Sequence, residues 1–538
     1  MSHLPPELEM EVNMIMDLQK HLLSLSEETM ESVYQFIMNS TFIHSTDRPR
    51  QLTSSLFILI EYRPWQIPYT ANLCLKLLES ASPTNSLSKL KPDILFTIFT
   101  KDKIKQENLH FLAHCLENHF LYPQELVDFI HQYSTDNPSY FAWFSPEIEM
   151  INPTLFEKLY NHYKPSQHET IFNIDLNDNL NNIGINNHMI NDRFGDEEEE
   201  EGPELSPEMY DYFRNLETLR KNDWELLKQL RLNGCNHHKI NVIIKNDDLE
   251  ALQNLIDISD FDYNQTSLPS IFELSMFCQT DPTLIQVAAF YGAVKCFKYF
   301  FINGADAHKC DEEKKTTVHF AIAGGNIEII RILQRENFNF SGAANIATIY
   351  HRNDIFRWIY DTIVNDLSMV DKYHGTLLES SCGSNNLEVF KFCMEHGANV
   401  NQKNSRVFLV YKVFYILMIY WTPIYSAIWN NRGEMVKILL YNKDLDVNAV
   451  TDQGWTALYT AALAGRTEFV NLLLQCDNIN VNVKTITSGW SALFAATESL
   501  KIECVHALLS FDGIDINSTN NEGVLHHKDS LYTTFYCM

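Results

Sequence analysis

Histidines, cysteines and paired glycines are the residues from which this chain could build a reactive site. None sits at a spacing that such chemistry requires. His237-His238 and His526-His527 have no cysteine or carboxylate at ligand spacing, so they do not read as metal sites. The eleven cysteines are scattered without a CxxC pair, and Cys115, Cys235, Cys278, Cys382 and Cys476 read as reduced thiols. GxSxG, HExxH, P-loop and kinase signatures are all missing, and Gly324-Gly325 lies in a recurring turn rather than a phosphate loop. The expectation is a protein with no catalytic residues, metal, cofactor or small-molecule substrate.

Aromatic residues are the more telling set. Trp421, Trp455 and Trp490 each precede a Thr or Ser that opens a helical pattern, and they recur about once per repeat. Such residues at turn tips should be mostly exposed and form a ladder, and large aromatics are favoured interface anchors. Trp429, Asn430, Asp452, Gln453, Leu463, Thr487, Ser488, Thr497 and Glu498 are expected on the same side. Together the twelve make a candidate partner-binding surface.

The elements that must position them are repeats. TLIQVAAFYG from Thr283 and TTVHFAIAGG from Thr316 align with Ala288 and Ala321, 33 positions apart. TPIYSAIWNN, TALYTAALAG and SALFAATESL begin at Thr422, Thr456 and Ser491, which lie 34 and 35 positions apart. A second landmark keeps phase with the first: Gly397-Ala398-Asn399-Val400-Asn401, Leu445-Asp446-Val447-Asn448, Ile479-Asn480-Val481-Asn482 and Ile514-Asp515-Ile516-Asn517. Acid-plus-apolar helices lie between, such as EMVKILL from Glu434 and EFVNLLL from Glu468.

Each mark has a physical role. Thr456 can satisfy an orphan N–H at a helix start, and Pro423 needs no N–H there. Ala461 and Ala462 are small enough for helices to approach closely. Gly465 and Gly397 suit left-handed backbone at helix ends. Leu472 to Leu474 form a stripe that only a neighbouring repeat can cover, so stacking is obligatory.

These motifs resemble an ankyrin-repeat domain from about Asn241 onward. The upstream part, Ser270-Ile271-Phe272-Glu273 followed by PTLIQVAAFYGAVKCFKYFFINGA, resembles the expanded ankyrin families of parasitic protists. The resemblance implies an all-α solenoid of stacked helix pairs, protein–protein recognition through the concave face, and a turn-tying hydrogen-bond role for His319. It also implies that a helical N-terminal segment accompanies the array. Two departures stand out. IATIYHRNDIFRWI, from Ile346, lacks the glycine pair. Glu388 to Glu434 spans 46 positions, about 13 more than a repeat, and the excess falls at Ser405–Tyr420. That segment reads as an insertion, either an extruded loop or translation of sequence normally removed from the message.

The remainder sets the context. Residues 1–165 show apolar residues at helical spacing, as at Leu109, Leu112 and Leu116, interrupted by prolines, and predict a helical domain. Residues 166–208, rich in Asn and carrying Glu197–Glu201, read as a disordered linker. Residues 209–538 form the array, with an incomplete last repeat at 519–538. A net charge of −28 opposes nucleic acid and anionic membranes and favours partners with basic patches. Val407–Trp421 is apolar but too short to span a membrane and holds Lys412. With no signal peptide in Met1–Leu22, the expected place is the cytoplasm. The expected function is an interaction scaffold or adaptor. The alternative is a ubiquitin-ligase substrate receptor, suggested by Leu4-Pro5-Pro6-Glu7-Leu8, which faintly resembles an F-box start.

Overall fold

The computed structural model describes residues 4–44, 49–82, 85–99, 105–133, 137–164, 206–234, 236–256, 261–370, 375–404, 407–408, 417–418 and 421–523. Nearly all of the expected linker, most of the 405–420 insertion and the chain after 523 lie outside the described residues. The described chain is helical throughout, apart from one short antiparallel pair and an isolated bridge. It divides into two compact units, Leu18–Phe338 and a second containing 1–17 and 339–538.

Leu18–Phe338 begins with short helices whose starts follow from proline chemistry. Pro49, Pro123, Pro138, Pro153 and Pro207 are each the first residue of a helix, where a missing N–H costs nothing. Pro146 is the exception. It lies inside Pro138–Ile151, and Phe144 just before it leaves helical geometry (φ −119°, ψ 22°), which kinks the helix.

The core of this unit mixes aromatics with a buried polar network. Trp143, Phe141, Phe144 and Phe156 are fully enclosed. Arg231 donates to both carboxylate oxygens of Glu147 at 2.8 and 2.6 Å and to the Trp143 carbonyl at 3.1 Å. Trp143 Nε1 donates to the Ile271 carbonyl at 3.2 Å, and His110 Nδ1 lies 2.7 Å from the Arg231 carbonyl. A buried ion pair is tolerable only when its remaining hydrogen-bonding groups are satisfied, and these contacts supply several of them. Helices Gln106–Glu117, Pro138–Ile151 and Lys221–Asn233 are thereby fixed to the segment around Ile271. The same unit carries the first helix pairs, Leu284–Tyr291 with Val294–Ile302 and Thr317–Gly324 with Ile327–Arg335.

The second unit contains Ala343–Ile349 with Asn353–Ile359, Leu377–Ser384 with Leu387–Glu395, and Pro423–Trp429 with Gly433–Tyr441. Ala457–Leu463 with Thr467–Leu474 and Ala492–Glu498 with Ile502–Leu509 follow. Thr376, Thr456 and Ser491 cap the first helix of their pairs, accepting from Glu379, Tyr459 and Phe494 N–H at 3.0–3.2 Å. Ala461, Ala462, Ala495 and Ala496 are buried where helices meet. The degenerate copy around Ile346 still forms its pair. His351 takes the left-handed position (φ 52°) that glycine holds elsewhere, and its Nε2 lies 2.9 Å from the Ser384 carbonyl.

Candidate functional site

The last three repeats close the segment before the first helix (the finger) at its base with a backbone bond. Thr451 N–H donates to Trp455 O at 3.0 Å and Thr485 N–H to Trp490 O at 2.9 Å. Asn404 N–H donates to Trp421 O at 2.9 Å, the same closure on either side of the 405–420 segment. Within it Val407–Phe408 pairs antiparallel with Leu417–Met418.

The later tips are joined to one another. Ile486 N–H donates to Gln453 O at 2.9 Å, and Thr487 Oγ1 to Gln453 Oε1 at 3.0 Å. Asn521 N–H donates to Ser488 O at 3.0 Å, and its side-chain amide to the Ile486 and Thr487 carbonyls. Gly454 (φ 77°) makes this approach possible, because a Cβ there would lie 2.8 Å from Ile486 N. Gln453, Thr487 and Ser488 thus belong to one hydrogen-bonded strip, and exposed Asp452 precedes Gln453 in the chain. Ile486, 67% exposed, sits in the middle of it. The sequence reading passed over Ile486, although its neighbours Thr487 and Ser488 were singled out.

The three tryptophans are not equivalent. Trp455 and Trp490 are half-buried, tilted against Tyr459 and Phe494 at ring separations of 5.2 and 4.9 Å. Trp421 was expected at an exposed tip but is buried, only 8% exposed. Its ring lies 5.9 Å from that of Trp429, and its backbone N–H donates to Asn404 Oδ1. Trp429 itself is 41% exposed.

The twelve expected residues fall into two rows. Trp421, Asp452, Gln453, Trp455, Thr487, Ser488 and Trp490 lie at the finger end of the first helices. Trp429, Asn430, Leu463, Thr497 and Glu498 lie at the other end, about 10 Å away along a seven-residue helix. Among the described residues, the Trp421–Trp429 ring contact bridges the rows. Thr497 is also not a surface residue. It is buried, and its hydroxyl donates to Leu493 O at 2.8 Å, the bond a helical threonine makes one turn back.

The second landmark has a function that its spacing hid. Asn401 donates from its amide to Asp444 O and accepts from Asp446 N–H. Asn448 does the same with Asn478 O and Asn480 N–H, and Asn482 with Gly513 O and Asp515 N–H. One asparagine per turn therefore ties each of these turns to the next. The Asx residue two places earlier holds its own turn, as Asp446 Oδ1 does by accepting from Asn448 N–H at 3.1 Å. His319 participates in a local cap: Thr316 N–H donates to its Nδ1 at 3.2 Å.

Comparison with known proteins agrees with this geometry. A family model of ankyrin repeats (3 copies) matches residues 284–404 and 424–520. The C-terminal part of this chain carries ankyrin repeats. The chain is also 24% identical over 146 residues to the transient receptor potential cation channel subfamily A member 1 of Homo sapiens. That match covers 27% of this chain and 10% of the human protein. Among the described residues, no helix is long and apolar enough to cross a membrane.

Ankyrin repeats are generally protein-interaction modules, and the polar chemistry here is consistent with that use. The thiols of Cys74, Cys115, Cys278 and Cys382 are buried and held above their ordinary range by burial. Such thiols are poor nucleophiles at neutral pH. Buried Glu273 is raised by burial and accepts from Tyr291 OH at 2.8 Å, a closed internal contact.

Proposed function

We propose that this protein is an interaction scaffold or adaptor that binds protein partners through the fingertip strip and the adjoining first-helix faces of its last ankyrin repeats. The observation that carries this reading is the bonding of one tip to the next. A strip already fixed in shape loses little conformational entropy on binding. Half-buried Trp455 and Trp490 and exposed Ile486 supply the apolar and aromatic anchors that interfaces favour. Trp421, being buried, supports the strip and does not contact the partner. Recognition, with no reaction of its own, is the assigned role, and the free buried thiols suit a cytoplasmic location. The acidic balance of the chain favours partners with basic patches.

The ubiquitin-ligase alternative would need the first helix, Pro6–Leu23, available to a ligase core. Asn13 on that helix instead accepts from Lys391 Nζ at 2.9 Å, a contact with a repeat helix. The domain division we propose keeps a helical region before residue 165 and the repeats after 209, as read from the sequence.

Quantitative affinity capture tests the reading, using the full wild-type chain and a Trp455→Ala, Ile486→Ala, Trp490→Ala variant as baits. The expected result is a set of proteins held by the wild type and lost from the variant while the melting temperature changes little. Identical capture by the two baits would refute the fingertip strip as the binding surface. Ligase subunits held by both baits would favour the alternative.

A further inference from the structure

The turn between the two helices of a pair carries a capping asparagine in two upstream repeats, whereas Ala293 and Arg352 upstream and Arg432, Arg466 and Lys501 in the last repeats stand there without a side-chain cap. Asn326 and Asn386 occupy this N-cap position and accept hydrogen bonds from the helices they open. Asn326 takes Glu328 and Ile329 N–H at 3.0 and 3.1 Å, and Asn386 takes Val389 N–H at 3.2 Å. Arg432 and Arg466 hold the same place before Gly433–Tyr441 and Thr467–Leu474, with matching backbone angles (φ −97°, ψ 78° and φ −90°, ψ 72°). A guanidinium has donors only and cannot cap, and a positive charge at a helix start opposes the helix dipole. Neither helix has a side-chain cap.

The two arginines are also without a counter-charge. No ion pair among the described residues includes either of them. Each Nε is buried with no hydrogen-bond acceptor. Arg432 Nη2 donates to Gly383 O at 3.1 Å, and no side-chain bond of Arg466 is found among the described residues. The two positions are in adjacent, touching repeats, since a Cβ on Gly433 would lie 3.8 Å from the Phe469 ring. Burial, and then the charge of Arg432, lower the Arg466 pKa. Two half-buried cations side by side are costly unless an anion completes them.

We infer that Arg432 and Arg466 form a phosphate-binding site at the helix–helix turns, on the side of the repeats away from the fingertips. A dianion balances two guanidiniums where a single carboxylate would balance one, and phosphate oxygens match the fork of arginine donors. The phosphate is either free or carried by a phosphorylated side chain of a partner protein. This site is independent of the fingertip strip.

The test uses the full chain titrated with inorganic phosphate, with a short phosphoserine peptide and with its unphosphorylated twin, followed by calorimetry and thermal melting. Sodium chloride at equal ionic strength controls for salt. The expected result is saturable binding by the wild type and at least a tenfold loss in Arg466→Asn and in Arg432→Asn. Each asparagine restores the cap seen at Asn326 and Asn386, so these variants should melt no lower than the wild type without phosphate. Arg466→Lys, which keeps the charge and loses the fork, provides a second measurement should an asparagine variant fold poorly, and should bind more weakly than the wild type. Binding of both phosphate and phosphopeptide assigns a general phosphate site, and binding of the phosphopeptide alone assigns a phosphorylated partner. Equal responses from wild type and variants, or no binding of either probe, would overturn the inference.

Discussion

Lowering the pH from 7.5 to 5 should weaken the Leu18–Phe338 unit through His110, by an amount that its surroundings determine. The ring is 2% exposed, sits edge-on to His114 at 4.5 Å, and has Nδ1 2.7 Å from the Arg231 carbonyl. Burial first, and the neighbouring His114 second, push its pKa down to about 3. An unfolded histidine has a pKa of about 6.5. Above that value neither state binds a proton and His110 has no effect on the balance. Below it the unfolded chain takes up a proton that the folded chain refuses, so stability falls as the pH drops from about 6.5 towards 3. At pH 5 the loss is about 2 kcal/mol for His110 alone, and it depends little on the folded value once that lies well below 5. His114 and His237, shifted down to about 4 and about 3 by burial, act in the same direction but are only partly covered. Glu273 and Asp311, raised by burial, act in the opposite direction, since each gains a proton in the folded state first. Urea unfolding of the wild type and His110→Gln at both pH values separates these effects. The pH-dependent loss should be smaller in the variant by about 2 kcal/mol. The same loss in both proteins would mean that His110 is protonated in the folded chain, and the buried-ring account would fail.

Three further outcomes follow from the repeats. Leu473 is fully buried, and Leu473→Asp should unfold the C-terminal repeats at a cost of several kcal/mol, read by calorimetry; unchanged melting would remove that helix face from the repeat interface. Trp421→Ala should cost roughly 3–5 kcal/mol, as truncated core tryptophans do, whereas Trp455→Ala and Trp490→Ala should cost clearly less; equal losses in urea titrations would contradict the separation drawn between them. Deleting 406–420 and placing a glycine before Trp421 should leave two residues between Asn404 and Trp421, one fewer than Thr451 and Trp455 enclose, and should raise solubility and melting temperature. A lower melting temperature would show that the segment packs into the fold.

The helix pairs were legible because their landmarks are local. Thr456, Ala461 and Gly465 satisfy requirements of their own repeat, so period and residue type sufficed to find them. The tryptophans were legible in place and misleading in exposure. Trp421, Trp455 and Trp490 precede equivalent caps, yet only Trp421 has Trp429 two turns along its helix to cover it. Thr497 looked like a polar surface residue because a hydroxyl that bonds one turn back inside a helix leaves no mark in spacing. Arg231 and Glu147 are 84 positions apart and belong to no repeat, so nothing in the sequence paired them. Arg432 and Arg466 have no mark in the sequence pattern, and their position acquires meaning only beside Asn326 and Asn386, which cap from it.

The asparagines of the turns give the array a chemical clock. Each side-chain amide of Asn401, Asn448 and Asn482 gives a hydrogen to one backbone group of the next turn and takes one from another. Deamidation would leave the shape almost unchanged and convert the donor end into a second acceptor facing a carbonyl. Aspartate, nearly isosteric, therefore cannot stand in for asparagine at these positions, although it serves well two residues earlier at Asp446 and Asp515. A single hydrolysed amide would detach one turn from its neighbour while leaving both helix pairs intact, so the ageing of this protein should appear first as lost coupling between repeats.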